Sequence, residues 1–366
     1  MEIIADDYKQ LCSYENIFRA YEKARKHKTQ KPYVIEFEKN LITNLFQLRT
    51  DLLFQAYAPQ PLQTFVIRDP KTRKISKSAF RDRIVHHAIG NIIEERFEKR
   101  FIYDSYANRK GKGTLKAIER FDYFKRKISK NYTQITYVLK ADIRHYFETV
   151  DHEVLFHLLK KKIGDKRLFG LIQKIVQNHK TAEKWKGMPL GNLTSQFFAN
   201  IYLHELDIFV KHTLKAKYYI RYVDDFVIFN NSRQKLEEYK ERIDFFLRDE
   251  LKLALHPDKS RILLLENGIE FLGMKIFQYH RRVKKKNLRK FRRKFADVCL
   301  QYDQGDLEYD TLYDFLEGWL AYAAHANTYN LRKGIIESVE NKYPQSISTK
   351  EVSRLEKNSK MPSGNY

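Results

Sequence analysis

Tyr222-Val223-Asp224-Asp225 sets two adjacent carboxylates between two apolar runs, Tyr218-Tyr219-Ile220 before and Phe226-Val227-Ile228-Phe229 after. That alternation predicts strand, tight turn, strand, with both acids at the turn. Oxygen ligands so close together suit a hard divalent ion such as Mg²⁺. The plainer alternative is a solvated hairpin tip, since Asp-Asp is a common turn dipeptide.

The surrounding composition bears on that choice. The 366 residues carry 69 Lys and Arg against 46 Asp and Glu, a net charge of +23. Such an excess repels itself in the folded state and calls for a polyanion. Nucleic acid fits best, because Lys and Arg displace counterions condensed on phosphates. The 24 Tyr and 25 Phe add faces on which bases stack. No apolar run of about 18 residues is present, so no membrane span is expected. The acidic start, with no apolar core segment, predicts no secretory signal. Two cysteines, Cys12 and Cys299, make neither a disulfide framework nor a zinc site, and cytoplasmic residence is the expectation. His86-His87 point to different helix faces and read as structural.

Along the chain, residues 1–58 carry helical periods, among them Leu41, Leu45, Leu48 and Leu52. A basic hairpin is expected over 62–76, with its turn at Asp69-Pro70-Lys71, followed by a helix from Asp82 to Phe97. Ser105 to Thr114 is a glycine-containing loop with Arg109, Lys110 and Lys112, readable as a phosphate cradle or as a solvated loop. Residues 135–143 form a β-rich run ending in Asp142, and Asp151 caps the next helix. A loop over Gly187–Gln196, a helix near 234–251 and a short hairpin over 261–277 around Gly268 and Gly273 come next. Arg281–Lys294 holds ten Lys or Arg in fourteen positions and reads as a phosphate-tracking helix. A helix is predicted over 312–335.

Asp142 ends one strand, and Asp224 and Asp225 lie at the bend between two others. If the strands are neighbours, three carboxylates meet at one edge. That arrangement clamps two Mg²⁺ ions about 3.5–4 Å apart for phosphoryl transfer.

Here the chain resembles the reverse transcriptases. Tyr222-Val223-Asp224-Asp225 matches their two-aspartate motif, and Leu139 to Phe147 is similar to their first palm motif. The resemblance implies an α+β right-hand polymerase with a ferredoxin-like antiparallel palm sheet and a helical thumb. It divides the chain into an N-terminal helical extension (1–60), fingers (61–135), palm (136–280, with part of the fingers near 160–190), thumb (281–345) and a mobile tail (346–366). It implies Asp142 and Asp224 as main ligands of two Mg²⁺ ions, with Mn²⁺ as substitute, Asp225 as third acid and the Ile143 carbonyl as a further ligand. Phe147 falls where these enzymes exclude a 2′-hydroxyl; read from the residues alone it is a core aromatic. Arg73 and Arg81 resemble fingers side chains that meet the incoming dNTP. Arg109, Lys110 and Lys112 lie in the next fingers motif. Lys259, in His256-Pro257-Asp258-Lys259, falls near the leaving pyrophosphate. Phe271-Leu272-Gly273 resembles the primer grip. Lys284, Lys285, Arg289, Arg292 and Arg293 would open a thumb that holds an RNA–cDNA duplex.

Gly187 to Gln196 indicates a subfamily. Most reverse transcriptases have Gln before the motif glycine, and many bacterial ones end the motif in Ser-Pro. Leu190 precedes Gly191 here, and the motif ends Ser195-Gln196. That pattern resembles the enzymes of diversity-generating retroelements, which copy a template-repeat RNA with errors at adenine and work with a small basic oligomeric accessory protein. Leu190, Ser195 and Gln196 are then fidelity positions, and an apolar Leu190 removes a polar check on the base pair; local packing is the other reading of Leu190. The alternatives are another bacterial reverse transcriptase, such as a retron, intron-type or phage-defence enzyme, or a non-catalytic RNA-binding protein. No His-Asn-His-like or zinc-ligand cluster of an intron endonuclease is present. The binder would not need three acids beside a polyanion.

Overall fold

Local capping chemistry sets the first helices of the chain. The computed structural model describes residues 6–68, 72–179, 181 and 183–353. Helix α1 (Asp7–Leu11) is capped by Asp6, and α2 (Tyr14–Arg25) by Ser13, whose oxygen accepts from the Asn16 amide. Helices α3 (Pro32–Glu38) and α4 (Leu41–Leu53) come next, the second burying Leu45, Leu48 and Leu52. Strands β1 (Gln63–Ile67) and β2 (Arg73–Lys77) pair antiparallel as the expected basic hairpin; its turn, Asp69-Pro70-Lys71, lies outside the described residues. Helix α5 (Phe80–Glu98) is apolar on most sides because α2 and others cover it. Asn16 reaches across to the Ala88 carbonyl at 3.3 Å. The N-terminal helices therefore share one core with α5 and the elements after it.

Helix α6 (Thr114–Ile128) precedes β3 (Tyr137–Asp142), the short α7 (Tyr146–Thr149), α8 (His152–Lys160), α9 (Lys166–Gln177) and α10 (Leu193–Ile208). Asp151 accepts from the amides of Glu153 and Val154, as its N-cap position predicts. Helix α10 begins at Leu193, so Ser195 and Gln196, expected in a loop, occupy its first turn. Strands β4 (Tyr219–Tyr222) and β5 (Asp225–Asn230), helix α11 (Arg233–Asp249) and β6 (Arg261–Leu264) complete a sheet of order β4-β5-β3-β6. Counted from β3, that is the order of a ferredoxin-like βαββαβ unit. As one of two inner strands, β5 buries Phe226, Val227 and Ile228 completely. Each such side chain contributes about 1.5–3 kcal/mol by leaving water, so register is strongly specified.

The chain divides into two compact units, Met1–Ile262 and Leu263–Tyr366. The division falls inside β6, whereas the sequence pattern extends the palm to residue 280. The expected hairpin over 261–277 is a meander, β7 (Ile269–Phe271), β8 (Met274–Ile276) and β9 (Arg281–Val283). It belongs to the second unit because the Gly273 carbonyl accepts from Tyr322 Oη at 3.0 Å and Asn287 Nδ2 at 3.4 Å. The basic run is therefore part strand. Its helix, α12 (Lys285–Asp303), is followed by α13 (Tyr309–Ala323) and α14 (Tyr329–Lys342). The single helix expected over 312–335 is broken between Ala323 and Tyr329, where Thr328 Oγ1 donates to the Ala323 carbonyl at 2.6 Å. Phe291 stacks on Trp319 with ring centroids 3.8 Å apart and centres this small core.

The mobile tail expected from 346 is corrected in its first part. Residues 346–353 are held in the second unit. Ser346 bonds Tyr302 at 2.9 Å, Thr349 donates its amide to Asp310 at 2.8 Å, and Lys350 lies 2.7 Å from Asp314. The rest of that segment lies outside the described residues. Among those described, no helix is long and apolar enough to cross a membrane, and Cys12 and Cys299 are free thiols.

Candidate active site

Antiparallel pairing of β3 with β5 places Asp142 opposite Asp225, and the pairing of β4 with β5 places Tyr222 opposite the same Asp225. Val223 and Asp224 are thus the two residues of the turn. The Ile143 amide donates to the Asp224 carbonyl at 3.1 Å, tying the turn to the strand end that carries Asp142. The Asp142 carbonyl accepts from the His256 amide at 2.7 Å. The three acids expected to converge do adjoin. Val223 takes φ +55°, a conformation that costs a β-branched residue about 1–3 kcal/mol and persists only where surroundings impose it.

Cations surround these acids. Lys259 Nζ lies 2.9 Å from Asp142 Oδ1, and Lys140 Nζ lies 3.7 Å from Asp225 Oδ1. Burial pushes the Asp224 carboxyl above the usual range, the neighbouring Asp142 charge adds to the rise, and Lys259 and Arg73 oppose it. Among the described residues no group of three or more His, Cys, Asp or Glu side chains is drawn together as a closed metal cluster. The donor set still fits a hard divalent cation. Asp224 is an all-oxygen ligand whose charge is disfavoured by burial and by a like neighbour, and a cation relieves both.

A cleft of about 730 Å³ opens between the β1–β2 hairpin and the segment after β3, and none of the three acids lines it. Phe147 and Leu190 both line it, with Lys74, Ser76, His145 and His179. Local hydrogen bonds set its walls. The Met188 amide donates to the Phe147 carbonyl at 2.7 Å, and the Ser76 amide to the Leu190 carbonyl at 3.0 Å. Gly191, at φ +114°, lies so close to β2 that a Cβ there would sit 3.0 Å from Ile75 Cγ2. Only glycine combines that backbone with that approach. Phe147 also packs against the core, as its reading from the residues alone expects. Ser195 is buried within α10 and Gln196 is half-buried; neither lines the cleft.

The reverse transcriptase (RNA-dependent DNA polymerase) family pattern matches residues 68–276, which include every acid above. The chain belongs to the reverse transcriptase family. It is 27% identical over 277 residues to Protein YkfC of Escherichia coli (strain K12), covering 65% of this chain and 72% of that one. It is 25% identical over 293 residues to the Group II intron-encoded protein LtrA of Lactococcus lactis subsp. cremoris, covering 60% of this chain and 47% of that one. The chain thus spans about half the length of the intron-encoded relative. Among solved structures, telomerase from Candida albicans in complex with a fragment of telomeric RNA aligns with a TM-score of 0.48 at 12% identity, covering 63% of this chain and 46% of that one. As a member of the reverse transcriptase family, the chain has the α+β right-hand polymerase fold.

Other residues expected to serve this reverse transcriptase site divide into two groups. Arg73 is exposed and its charge is felt at Asp224. Arg81 is instead taken up by Asp51 and lies over the Tyr57 ring at 5.0 Å. Arg109 is not a phosphate ligand as placed: its side chain is 6% exposed, paired with Glu98 at 2.8 Å and donating to the Ile102 and Ser105 carbonyls. Lys112 sits 3.3 Å above the Tyr103 ring, while Lys110 is exposed. Phe271 is fully buried, and its side chain cannot meet a primer. Leu272 and Gly273 form the β7–β8 turn, at φ +45° and +90°. Lys284 pairs with Glu270 at 2.9 Å, whereas Lys285, Arg289, Arg292 and Arg293 are exposed along α12. His86 and His87 have pKa values lowered by burial to about 3 and about 4, so both are neutral packing residues.

Sequence reading missed Lys74, Lys140 and Arg221. Lys74 and Lys140 carry only a strand-position signal, one residue after Arg73 and two before Asp142. Arg221, next to the acid motif, is fully buried, an unusual state for arginine that no linear pattern reveals.

Proposed function

We propose that this chain synthesises DNA on an RNA template. The primer 3′-hydroxyl oxygen attacks the α-phosphorus of a dNTP, the bond to the bridging oxygen breaks, and pyrophosphate leaves. The observation that carries this reading is the register that sets Asp142 beside Asp225 at the Asp224 turn. Two Mg²⁺ ions, or Mn²⁺, held by Asp142, Asp224, Asp225 and the Ile143 carbonyl would lower the hydroxyl pKa and offset charge on the leaving group. The protein's own groups do the rest. Lys259 faces the acids and can neutralise or protonate the departing pyrophosphate. Arg73 and Lys74 meet the triphosphate. Phe147 closes the cleft against a 2′-hydroxyl, and Leu190 borders the nascent base pair. The basic face of α12 tracks the phosphates of an RNA–cDNA duplex.

We further infer the diversity-generating subtype, with adenine-biased errors in copying a template-repeat RNA and a small basic oligomeric accessory protein as partner. Leu190-Gly191 and Ser195-Gln196 support it, and Leu190 lines the cleft. The group II intron-encoded relative favours an intron-type enzyme as the second reading.

Primer extension by the purified chain on RNA with dNTPs and Mg²⁺ tests the activity. Asp224→Asn is expected to abolish extension while RNA binding persists; extension by that variant would refute the assignment. Sequencing the cDNA separates the subtypes, since errors concentrated at template adenine are expected of the first and uniform errors of the second.

A further inference from the structure

Arg221 is the largest fully buried side chain in the protein's described core. All five of its N–H donors are in use. Nε and Nη2 bond the two Asp207 oxygens at 2.7 and 2.6 Å, Nη2 also donates to Ser105 Oγ at 3.1 Å, and Nη1 donates to Asn200 Oδ1 at 3.3 Å and to the Val223 carbonyl at 3.1 Å. Asp207 is itself fully buried and also accepts from Tyr219 Oη at 2.8 Å. The backbone adds more. The Arg221 amide donates to the Asp104 carbonyl and the Tyr106 amide donates to the Arg221 carbonyl, both at 3.0 Å. Asn200 Nδ2 donates to the Ala107 carbonyl at 2.8 Å.

A guanidinium needed only for packing would be served by Asp207. This one spends a donor on the peptide between Val223 and Asp224. That peptide follows the left-handed Val223, a conformation that surroundings must impose. The Ile143 amide holds the next carbonyl, that of Asp224. Asp224 is thus pinned on both sides, by Arg221 from within the core and by the strand end bearing Asp142.

We propose that Arg221 is a positioning residue of the polymerase site. Through the Val223 carbonyl it sets the turn so that the Asp224 and Asp142 carboxylates face one divalent cation, while Asp207, Asn200 and Ser105 keep the guanidinium aimed. The inference rests on the polymerase reading above.

The test removes both buried charges together, because removing one alone leaves the other unpaired in the core. Arg221→Met with Asp207→Leu is compared with wild type for cooperative melting, for Mn²⁺ affinity by electron paramagnetic resonance without nucleic acid, and for primer extension against Mg²⁺ concentration. Groups that orient metal ligands typically change metal affinity about 10–100-fold when lost. The folded double variant is expected to bind Mn²⁺ weaker by that factor, to need correspondingly more Mg²⁺ for half-maximal extension, and to recover rate as Mg²⁺ is raised. A folded double variant with wild-type Mn²⁺ affinity overturns the proposal. Should the double variant not fold, Ser105→Ala and Asn200→Ala each loosen the guanidinium and are expected to weaken Mn²⁺ binding several-fold; no change in either overturns it equally. Wild-type protein that neither binds Mn²⁺ at this site nor extends a primer fails the polymerase reading itself, a distinct result.

Discussion

Lys259 Nζ lies 2.9 Å from Asp142 Oδ1, so an amine from the segment after α11 holds one of the acids proposed to bind metal. The pair is partly open to solvent, and exposed pairs contribute only about 0–1 kcal/mol to stability. Its value therefore lies in charge at the site. Lys259→Ala is expected to leave the melting temperature nearly unchanged and to slow single-turnover dNTP incorporation about 10²–10⁴-fold. A large loss of stability with normal turnover would reverse that assignment.

Asp224 carries a stability penalty of known sign. Its folded pKa is raised, by burial first and by Asp142 second. The folded state therefore holds its proton more tightly than the unfolded chain does. The associated stability is fully present below the unfolded pKa and is lost as pH rises through the folded pKa. Asp224→Asn removes the penalty. In EDTA at pH 7 the variant is expected to melt higher than wild type, with the gap closing as the solution is acidified to about the ordinary carboxylate pKa. Thermal melts across that range check the sign.

Phe147 and Leu190 line one cleft, and their substitutions should separate two kinds of selectivity. Phe147→Val opens space in the cleft, where the proposed function puts the sugar, and is expected to raise the ratio of ribonucleotide to deoxynucleotide kcat/KM roughly tenfold or more. Because Phe147 also packs on the core, the variant is expected to lose about 1–3 kcal/mol of stability. Competitive incorporation and denaturant melts read the two effects apart.

Leu190→Gln places a polar group in the cleft that Leu190 lines. Errors at template adenine are expected to fall several-fold, with errors at other bases little changed. Sequencing of cDNA from both proteins decides it; an unchanged adenine error rate removes Leu190 from the fidelity argument.

The cations of α12 are expected to act through phosphate alone. Arg289→Glu combined with Arg293→Glu should weaken RNA–DNA duplex binding for every sequence alike and flatten the log–log salt dependence by about one for each phosphate no longer neutralised. Arg109→Ala should differ, costing stability rather than salt-dependent binding, because its guanidinium is buried against Glu98. Filter binding across salt concentrations distinguishes the two.

Local chemistry made much of this protein legible. Apolar runs flanking Asp224 and ending at Asp142 predicted strands, because a run of Phe, Val and Ile is stable only when buried between neighbours. Asp151 announced a helix start through its free oxygen. Boundaries set by long-range partners were not legible. The helix expected over 312–335 breaks at Thr328, and the strands after Gly268 leave the palm for the second unit, because the Gly273 carbonyl finds its donors on Tyr322 and Asn287.

By itself the sequence determined the identity and spacing of the acids proposed to react, since Asp224 and Asp225 are adjacent residues, although only Asp224 lies in the turn and Asp225 opens β5. Only the tertiary structure decided which charges are free to act. Arg73 and Arg289 remain exposed, whereas Arg81, Arg109 and Arg221 are consumed by Asp51, Glu98 and Asp207. A guanidinium looks the same in a linear chain wherever it stands. Whether it meets a phosphate or a carboxylate depends on which distant segment folds against it, and on the high cost of leaving a buried charge without a partner.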